Sequence, residues 1–134
     1  MFIQKNNTCS KVWLKKDKLH EVAHEEIEIR LALEDFEKLN SLFLALGYTV
    51  QIKWFRTSHT FDWDDVKIML EDTLGYGKII KLEIMSEFDY IEESLNRLKK
   101  LLNRLNIPLT TTQEFDKKIA YYSEHWQELT KIHD

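Results

Sequence analysis

The sequence is poor in the residues that cross-link or interrupt a chain. Of its 134 residues, three are glycine, one is proline and one is cysteine. The single Cys9 excludes an internal disulfide framework and is typical of a reducing compartment, so we expect a cytoplasmic protein with an inert thiol. The scarcity of glycine and proline leaves little room for long irregular loops. The chain is therefore expected to consist mainly of regular elements.

Long apolar runs and an excess of positive charge are also missing. No apolar stretch approaches the roughly 20 residues that a membrane helix needs, and residues 1–7 lack the apolar core of a secretory signal. Lysine and arginine total 19 against 23 acidic residues, which gives a formal net charge of −4. General nucleic-acid binders are normally basic. We therefore expect neither a membrane nor a nucleic acid as partner.

The sequence does contain enough apolar residues for a core. Hydrophobic residues make up 43% of the chain and charged residues 31%. The length suits one domain, since single domains usually have about 100–150 residues. The charge is uneven, because residues 1–20 carry five lysines and one acid, whereas residues 21–37 carry seven acids and one arginine. We predict one domain over residues 1–134 with oppositely charged segments.

Alternation of apolar and charged residues predicts several strands. The clearest covers residues 22–33, where Ile27 and Ile29 alternate with Glu26, Glu28 and Arg30. Strand composition also occurs at residues 2–5, 12–14, 48–61, 66–72 and 78–85. The short connections after the first strand and at residues 62–65 and 75–77 predict β-hairpins, so the sheet is expected to be antiparallel.

Apolar residues at helical spacing predict three helices. The first covers residues 34–46 and ends at Gly47, the second covers residues 90–105, and the third begins at an N-cap, Thr112. The predicted order is β-β-β-α-β-β-β-α-α. Antiparallel strands with separate helices define the α+β class.

Three of the predicted strands carry a charged face opposite an apolar or mixed face. Paired carboxylates on such a face suit a hard divalent cation, and an adjacent arginine suits phosphate. A barrel with a hydrated, ion-binding interior would give this pattern, and so would an ordinary sheet with one solvated face. The charged residues of these faces are Glu26, Glu28 and Arg30 on one strand, Arg56 on another, and Lys81 and Glu83 on a third, while Lys53 lies on the opposite face of the strand that carries Arg56.

Other catalytic patterns are missing from the sequence. None of the five histidines has a metal-ligand spacing such as HExxH, although His24 lies in register with Glu26 and Glu28. Residues 75–77, Gly-Tyr-Gly, are not followed by the Lys-Ser/Thr of a phosphate loop. There is no nucleophile elbow and no kinase signature.

Several short segments resemble sequence motifs that occur in the same order in a known protein family. Residues 12–16 look like an "LTxK" strand, residues 24–28 like "RxExE", and the helix over 34–46 with Gly47 like one ending in "LGF". Residues 53–56 are similar to "KxR", and residues 70–72 with 75–83 to "lD…LG.f.ExE". Over about residues 11–130 the chain resembles the CYTH family, the triphosphate-tunnel proteins that include class IV adenylate cyclases and thiamine triphosphatases.

The resemblance implies a closed antiparallel tunnel in which basic residues bind a triphosphate and acids bind Mg²⁺ or Mn²⁺. The metal would polarise the phosphoryl group for attack by water or a hydroxyl. Glu26 and Glu28 are then the candidate catalytic acids, and Glu28, Asp72 and Glu83 the candidate metal ligands. The candidate substrate-binding residues are Lys15, Lys16, Arg30, Lys53, Arg56 and Lys81.

The sequence departs from the family pattern at several positions. The family's opening "ExExK" strand, with the helix and strand that follow it, has no counterpart, and residues 2–4 lack both arginines of an "RxR" motif. His24 stands where "RxExE" has arginine, and Lys81 stands where the late "ExE" has its first acid. Each change removes a phosphate or metal ligand. The resemblance therefore predicts an incomplete tunnel.

Three functions follow from these patterns. The first is a CYTH-type domain that binds a triphosphate-containing small molecule and, if active, hydrolyses it with a metal ion. Adenylate cyclisation is less favoured, because no residue selects adenine. The second is a degenerate, non-catalytic binding or interaction module, whose open sheet edges would favour a homodimer. The third is an α+β protein unrelated to phosphate, in which the charged faces are only solvated.

Overall fold

The computed structural model describes residues 1–16, 23 and 25–131. The chain divides into two compact units, Met1–Gln51 and Ile52–Asp134, which we describe separately. The predicted element order is confirmed, with three strands and a helix in the first unit and three strands and two helices in the second. The predicted single domain stays a prediction.

The first unit is a three-stranded antiparallel sheet with one helix. Its strands β1 (Phe2–Lys5), β2 (Ser10–Lys15) and β3 (Glu26–Leu31) lie in the order β1-β2-β3, and helix α1 (Phe36–Ala45) follows. The side-chain oxygen of Asn6 accepts hydrogen bonds from the backbone amides of Thr8 and Cys9, at 2.8 Å each. This Asx turn closes the predicted hairpin between β1 and β2. Residues 17–22 and 24, which belong to the predicted connection and strand, lie outside the described residues.

The second unit contains a second three-stranded antiparallel sheet and two helices. Its strands are β4 (Arg56–Trp63), β5 (Val66–Thr73) and β6 (Gly77–Ile84), in the order β4-β5-β6. Helices α2 (Ile91–Arg104) and α3 (Thr112–Leu129) complete the unit. The predicted strand over residues 48–61 begins only at Arg56. Since Arg56 pairs with Thr73, the last residue of β5, earlier residues have no ladder partner on that strand.

The α+β class and the antiparallel pairing are confirmed. In the described residues each sheet is open, because neither three-stranded ladder closes on itself. No closed barrel is seen, and the tunnel stays a prediction. Among the described residues, no helix has the length and apolarity needed to cross a membrane.

The core of the second unit is built on aromatic rings. Tyr122 of α3 is only 1% exposed, and its ring stacks on that of Trp54 with 4.4 Å between centroids. Tyr76, in the turn between β5 and β6, meets both rings edge-on at 5.3 and 5.8 Å. These three residues, the aromatic cluster, attach α3 to the segment before β4 and to the β5–β6 turn.

Close packing of α3 also explains the glycine at position 75. Gly75 has a φ of +75°, and a Cβ added there would lie 2.6 Å from Cβ of Leu129 at the end of α3. Both the positive φ and the contact disfavour a side chain. Glycine thus allows the β5–β6 turn to approach the helix.

Helix α3 begins one residue earlier than predicted. Thr111, rather than Thr112, is the N-cap, because the residue three positions after Thr111 is Glu114. The Thr111 hydroxyl accepts from the Glu114 amide at 3.2 Å, and the Glu114 carboxylate accepts from the Thr111 amide at 3.0 Å. This reciprocal capping box satisfies two amides at the helix start and lowers the pKa of Glu114.

Replacing Thr111 with alanine should therefore weaken the second unit. We expect Thr111→Ala to lower the free energy of unfolding by about 1 kcal/mol, because the amide of Glu114 loses its acceptor. Urea unfolding followed by circular dichroism measures this. Thr110→Ala, one residue outside the cap, is the matched control and should change stability by less than about 0.5 kcal/mol. Equal effects of the two substitutions would contradict the role of the cap.

Candidate functional site

A charged face lies on one side of the sheet in the first unit. The register of β2 and β3 pairs Lys11 with Arg30, Trp13 with Glu28 and Lys15 with Glu26. Directly paired residues share a face, so these side chains lie together, and the predicted alternation along β3 is confirmed. The first charged face is the set Lys11, Trp13, Lys15, Glu26, Glu28 and Arg30.

Glu28 is the most strongly paired acid of the first charged face. Its Oε2 accepts from Nζ of Lys11 at 2.7 Å, and its Oε1 accepts from Nε of Arg30 at 2.9 Å. The hydrogen bond from Lys11, followed by that from Arg30, lowers the pKa of Glu28 below 4.5. Lys15 approaches Glu26 at 3.6 Å. The face thus carries three cations and two carboxylates, with Lys11 and Arg30 paired to Glu28 and Lys15 paired to Glu26.

Trp13 lies at the centre of the first charged face. Its ring stacks on Phe2 of β1 with 4.5 Å between centroids. The ammonium groups of Lys11 and Lys15 lie 5.8 and 5.4 Å from the Trp13 ring, within cation–π range. The indole therefore holds two lysines on one surface.

The sequence-predicted candidate Lys16 lies apart from this face. It follows the end of β2, and its Nζ pairs with the Glu25 carboxylate at 2.8 Å. Its amide also donates to the Glu25 carbonyl at 3.1 Å. Lys15 and Lys16 were equivalent in the sequence, but only Lys15 belongs to the first charged face.

A second charged face lies on the sheet of the other unit. The registers pair Arg56 with Thr73, Ser58 with Glu71, and Lys81 with Met69. The predicted separation of Lys81 and Glu83 from the apolar face of Ile80 and Leu82 is confirmed by this register. The second charged face is the set Arg56, Asp62, Lys67, Glu71, Thr73, Lys81 and Glu83.

Two cations of the second charged face converge on one buried oxygen. The Glu71 side chain is 6% exposed, and its Oε2 lies 2.8 Å from a terminal nitrogen of Arg56 and 3.0 Å from Nζ of Lys81. Arg56 also donates from Nε to the Thr73 hydroxyl at 2.7 Å. Its guanidinium carbon lies 5.5 Å from the Trp54 ring. Arg56 is thus held by an acid, a hydroxyl and an aromatic ring.

Two candidates of the second unit lie elsewhere. Asp72 pairs with Thr57 and Lys78, so it lies on the opposite face of the sheet from Arg56 and Lys81. Lys53 precedes β4, and its ammonium lies 6.0 Å from the ring of Trp126 on α3. The structure therefore groups Arg56, Lys81 and Glu83 on one face, but neither Lys53 nor Asp72 with them. The proposed metal role of Asp72 and phosphate role of Lys53 stay predictions.

Two residues of the charged faces, Glu71 and Lys11, were not predicted from the sequence. The family motif indicated Asp72 as the acid of this region. The register of the β4–β5 hairpin was the better indicator, because it shows which acid shares a face with Arg56. In a two-residue turn at Asp64 and Asp65, Trp63 pairs with Val66, and counting back along the ladder places Glu71 opposite Ser58, on the face of Arg56. Lys11 and Trp13 are two residues apart on β2, so period-two alternation would have placed Lys11 on the face of Trp13.

The described residues contain no ready-made metal centre. Within residues 1–16, 23 and 25–131, no three histidine, cysteine, aspartate or glutamate side chains form a group that could hold a metal ion. His24, the histidine in register with Glu26, lies outside the described residues. The predicted ligands Glu28 and Glu83 lie on charged faces of different units, and their metal role stays a prediction.

Comparison with known proteins gives one distant relative. The chain is 25% identical over 97 residues to a protein of Methanocaldococcus jannaschii named "Putative adenylate cyclase MJ0240". The match covers 72% of this chain and 55% of the relative, so the chain spans about half the length of the relative it matches. No family model matches the chain. No solved structure matches it.

The pairing of Glu28 makes stability depend on pH in a defined direction. Because its pKa is lowered in the folded state, its stabilising contribution is present above pH 4.5 and is lost as the pH falls through the folded-state pKa. We expect Glu28→Gln to lower the melting temperature at pH 7. Below pH 4.5 the difference in melting temperature between the variant and the original protein should become smaller. Differential scanning fluorimetry from pH 7 to pH 3 measures this.

The control is an acid of the same unit with a looser ion pair. Glu37 is 75% exposed and approaches Lys5 only at 3.5 Å. Glu37→Gln should therefore lower the melting temperature less at pH 7 than Glu28→Gln does. A Glu28→Gln deficit that persists unchanged to pH 3 would show that the ion pairs do not cause it.

Proposed function

We propose that the chain is a CYTH-like domain that binds the triphosphate group of a small molecule. The observation that carries the proposal is the convergence of Arg56 and Lys81 on one oxygen atom of Glu71. The ordered motif resemblance and the name of the distant relative support the same class of protein. The second charged face is the proposed phosphate-binding surface.

The pairing around Glu71 has the chemistry that a phosphate oxygen requires. A carboxylate oxygen and a phosphate oxygen accept the same charge-assisted hydrogen bonds from guanidinium and ammonium groups. Glu71 therefore holds Arg56 and Lys81 close together, in positions from which they can turn to an incoming anion. Because the trio carries a net charge of +1, a polyanion gains attraction there even while Glu71 remains paired.

The first charged face carries candidate groups of its own, within the first unit. Lys11, Lys15 and Arg30 are available as cations, with Glu26 and Glu28 as the proposed catalytic acids. Glu28 is engaged by Lys11 and Arg30, so phosphate binding to those cations would free this carboxylate. Exchange of partners at Glu28 would thus couple anion binding to the exposure of an acid.

Mg²⁺ or Mn²⁺ enters the proposal as the ion that accompanies the triphosphate. Because no three-ligand group exists among the described residues, we derive no step through a resident metal. Polyphosphates chelate divalent cations, and a protein carboxylate or two can complete such a coordination shell. Glu83 and Glu71 are the acids of the second charged face that are suited to this role.

A non-catalytic binding module is the second candidate. The observation that favours it is the neutralisation of Glu71 by two cations, which leaves this acid as a counter-ion rather than a base. A module of this kind would bind the anion and release it unchanged. Self-association through open sheet edges remains a prediction of this second candidate.

Tripolyphosphate binding should depend on Lys81 and not on Lys78, which lies on the opposite face of the same strand. We expect Lys81→Gln to weaken the affinity for inorganic tripolyphosphate about tenfold, because one charge-assisted contact is lost. Lys78→Gln is the matched control, since Lys78 lies three residues away on the opposite face of β6. Isothermal titration calorimetry at constant ionic strength measures both. Equal losses, or no binding by the original protein, would contradict the proposed surface.

Turnover separates the hydrolase from the binding module. If the domain hydrolyses tripolyphosphate or a nucleoside triphosphate, phosphate release should require Mg²⁺ or Mn²⁺ and fall at least about tenfold in Arg56→Gln and in Glu28→Gln. Arg104→Gln is the control, because Arg104 lies on α2 near Trp63, outside the second charged face. Tight binding with no phosphate release would favour the non-catalytic module.

A further inference from the structure

The aromatic cluster of the second unit makes one contact that core packing does not require. The hydroxyl of Tyr122 donates a hydrogen bond to the backbone carbonyl of Lys53 at 2.9 Å. Lys53 is three residues before Arg56, in the segment that precedes β4. Burial raises the pKa of Tyr122 above its ordinary value, so the hydroxyl keeps its proton and remains a donor near neutral pH. A helix residue thus fixes the backbone that leads into the charged face.

The segment before β4 depends on this bond because it has little sheet pairing. The ladder between β4 and β5 begins at Arg56 and Thr73. Before that point, the Phe55 carbonyl accepts from the Leu74 amide at 2.9 Å. The Lys53 carbonyl takes its bond from Tyr122 instead of from a strand. Tyr122 therefore supplies a backbone partner where the neighbouring strand has ended.

The ring of Tyr122 also contacts Trp54, which lies beside Arg56. It stacks on Trp54 with an interplanar angle of 10°, and the Arg56 guanidinium carbon lies 5.5 Å from the Trp54 ring. An arginine side chain has four rotatable bonds, so ordering it for a ligand is costly in entropy. When an anion replaces Glu71 as the partner of Arg56, the Trp54 ring and the Thr73 hydroxyl still restrict the orientation of the Arg56 side chain.

We propose that Tyr122 is a positioning residue for anion binding: through Lys53 and Trp54 it holds Arg56 in the orientation that accepts the phosphate group. The inference rests on the proposed function, since it assigns a role to Tyr122 in the same site. It differs from simple core packing in one respect. The hydroxyl, and not only the ring, contributes to affinity, and it does so through Arg56.

The adjacent tyrosine offers a matched control. Tyr121 lies on the same helix, is 55% exposed, and stacks on His125 rather than on Trp54. We expect Tyr122→Phe to weaken tripolyphosphate binding about fivefold, which corresponds to the loss of one neutral hydrogen bond, and Tyr121→Phe to leave binding unchanged. Isothermal titration calorimetry gives the affinities, and circular dichroism confirms that both variants are folded.

A double-mutant cycle separates positioning from a general structural effect. If Tyr122 acts through Arg56, Tyr122→Phe should cause little further loss in an Arg56→Gln background. Independent fivefold losses in both backgrounds would overturn the inference, as would unchanged binding by Tyr122→Phe.

A second variant keeps the test valid if Tyr122→Phe does not fold. Trp54→Leu removes the ring beside Arg56 while leaving the Tyr122 hydroxyl and the Lys53 carbonyl in place. It should weaken binding by a similar factor, again with little effect in the Arg56→Gln background. No tripolyphosphate binding by the original protein overturns both the proposed function and this inference. Binding that depends on Arg56 but not on Tyr122 or Trp54 overturns the inference alone.

Discussion

The chemistry of the second unit depends on one buried carboxylate. Removing Glu71 from water is unfavourable unless opposite charges replace the lost solvent, and the cations of Arg56 and Lys81 lie within ion-pair distance of its Oε2, which has no hydrogen-bond partner among the described residues. The three side chains come from three different strands, so the ion pairs also link the whole sheet across its width. An acid that needs two cations keeps those cations ordered. The same requirement that stabilises the sheet therefore keeps an arginine and a lysine side by side on one face.

Each charged face contains an acid that is paired with two cations, but the two acids differ in burial. In the first unit the acid Glu28 is shared by Lys11 and Arg30 on a half-exposed surface, where solvent screens each contact. In the second unit the acid is almost fully buried, and the arginine is further restrained by Thr73 and Trp54. The first arrangement can exchange partners easily. In the second, Arg56 is restrained by more partners.

Period-two alternation accounts for how much could be predicted from the sequence. It placed the charged and apolar faces of β3 and β6 correctly, because one face of each strand is rich in Ile and Leu and the other in charge. Asp72 was chosen from the family motif instead, and the faces of the adjacent acids Glu71 and Asp72 are decided by the β4–β5 register and not by composition. The role of Tyr122 was not predicted, since nothing local in the sequence indicates a bond to a carbonyl 69 positions away.

The two-residue turn at Asp64 and Asp65 has a consequence for how the chain can change. Asp64 has a φ of +54°, a conformation that asparagine or glycine also accepts, so the identity of this residue is open to substitution. Its length is not. If the turn keeps two residues at its tip, inserting or deleting one residue shifts the ladder by one position and places Arg56 on the opposite face of the sheet from Glu71. A longer turn preserves the charged face only if a bulge absorbs the extra residue.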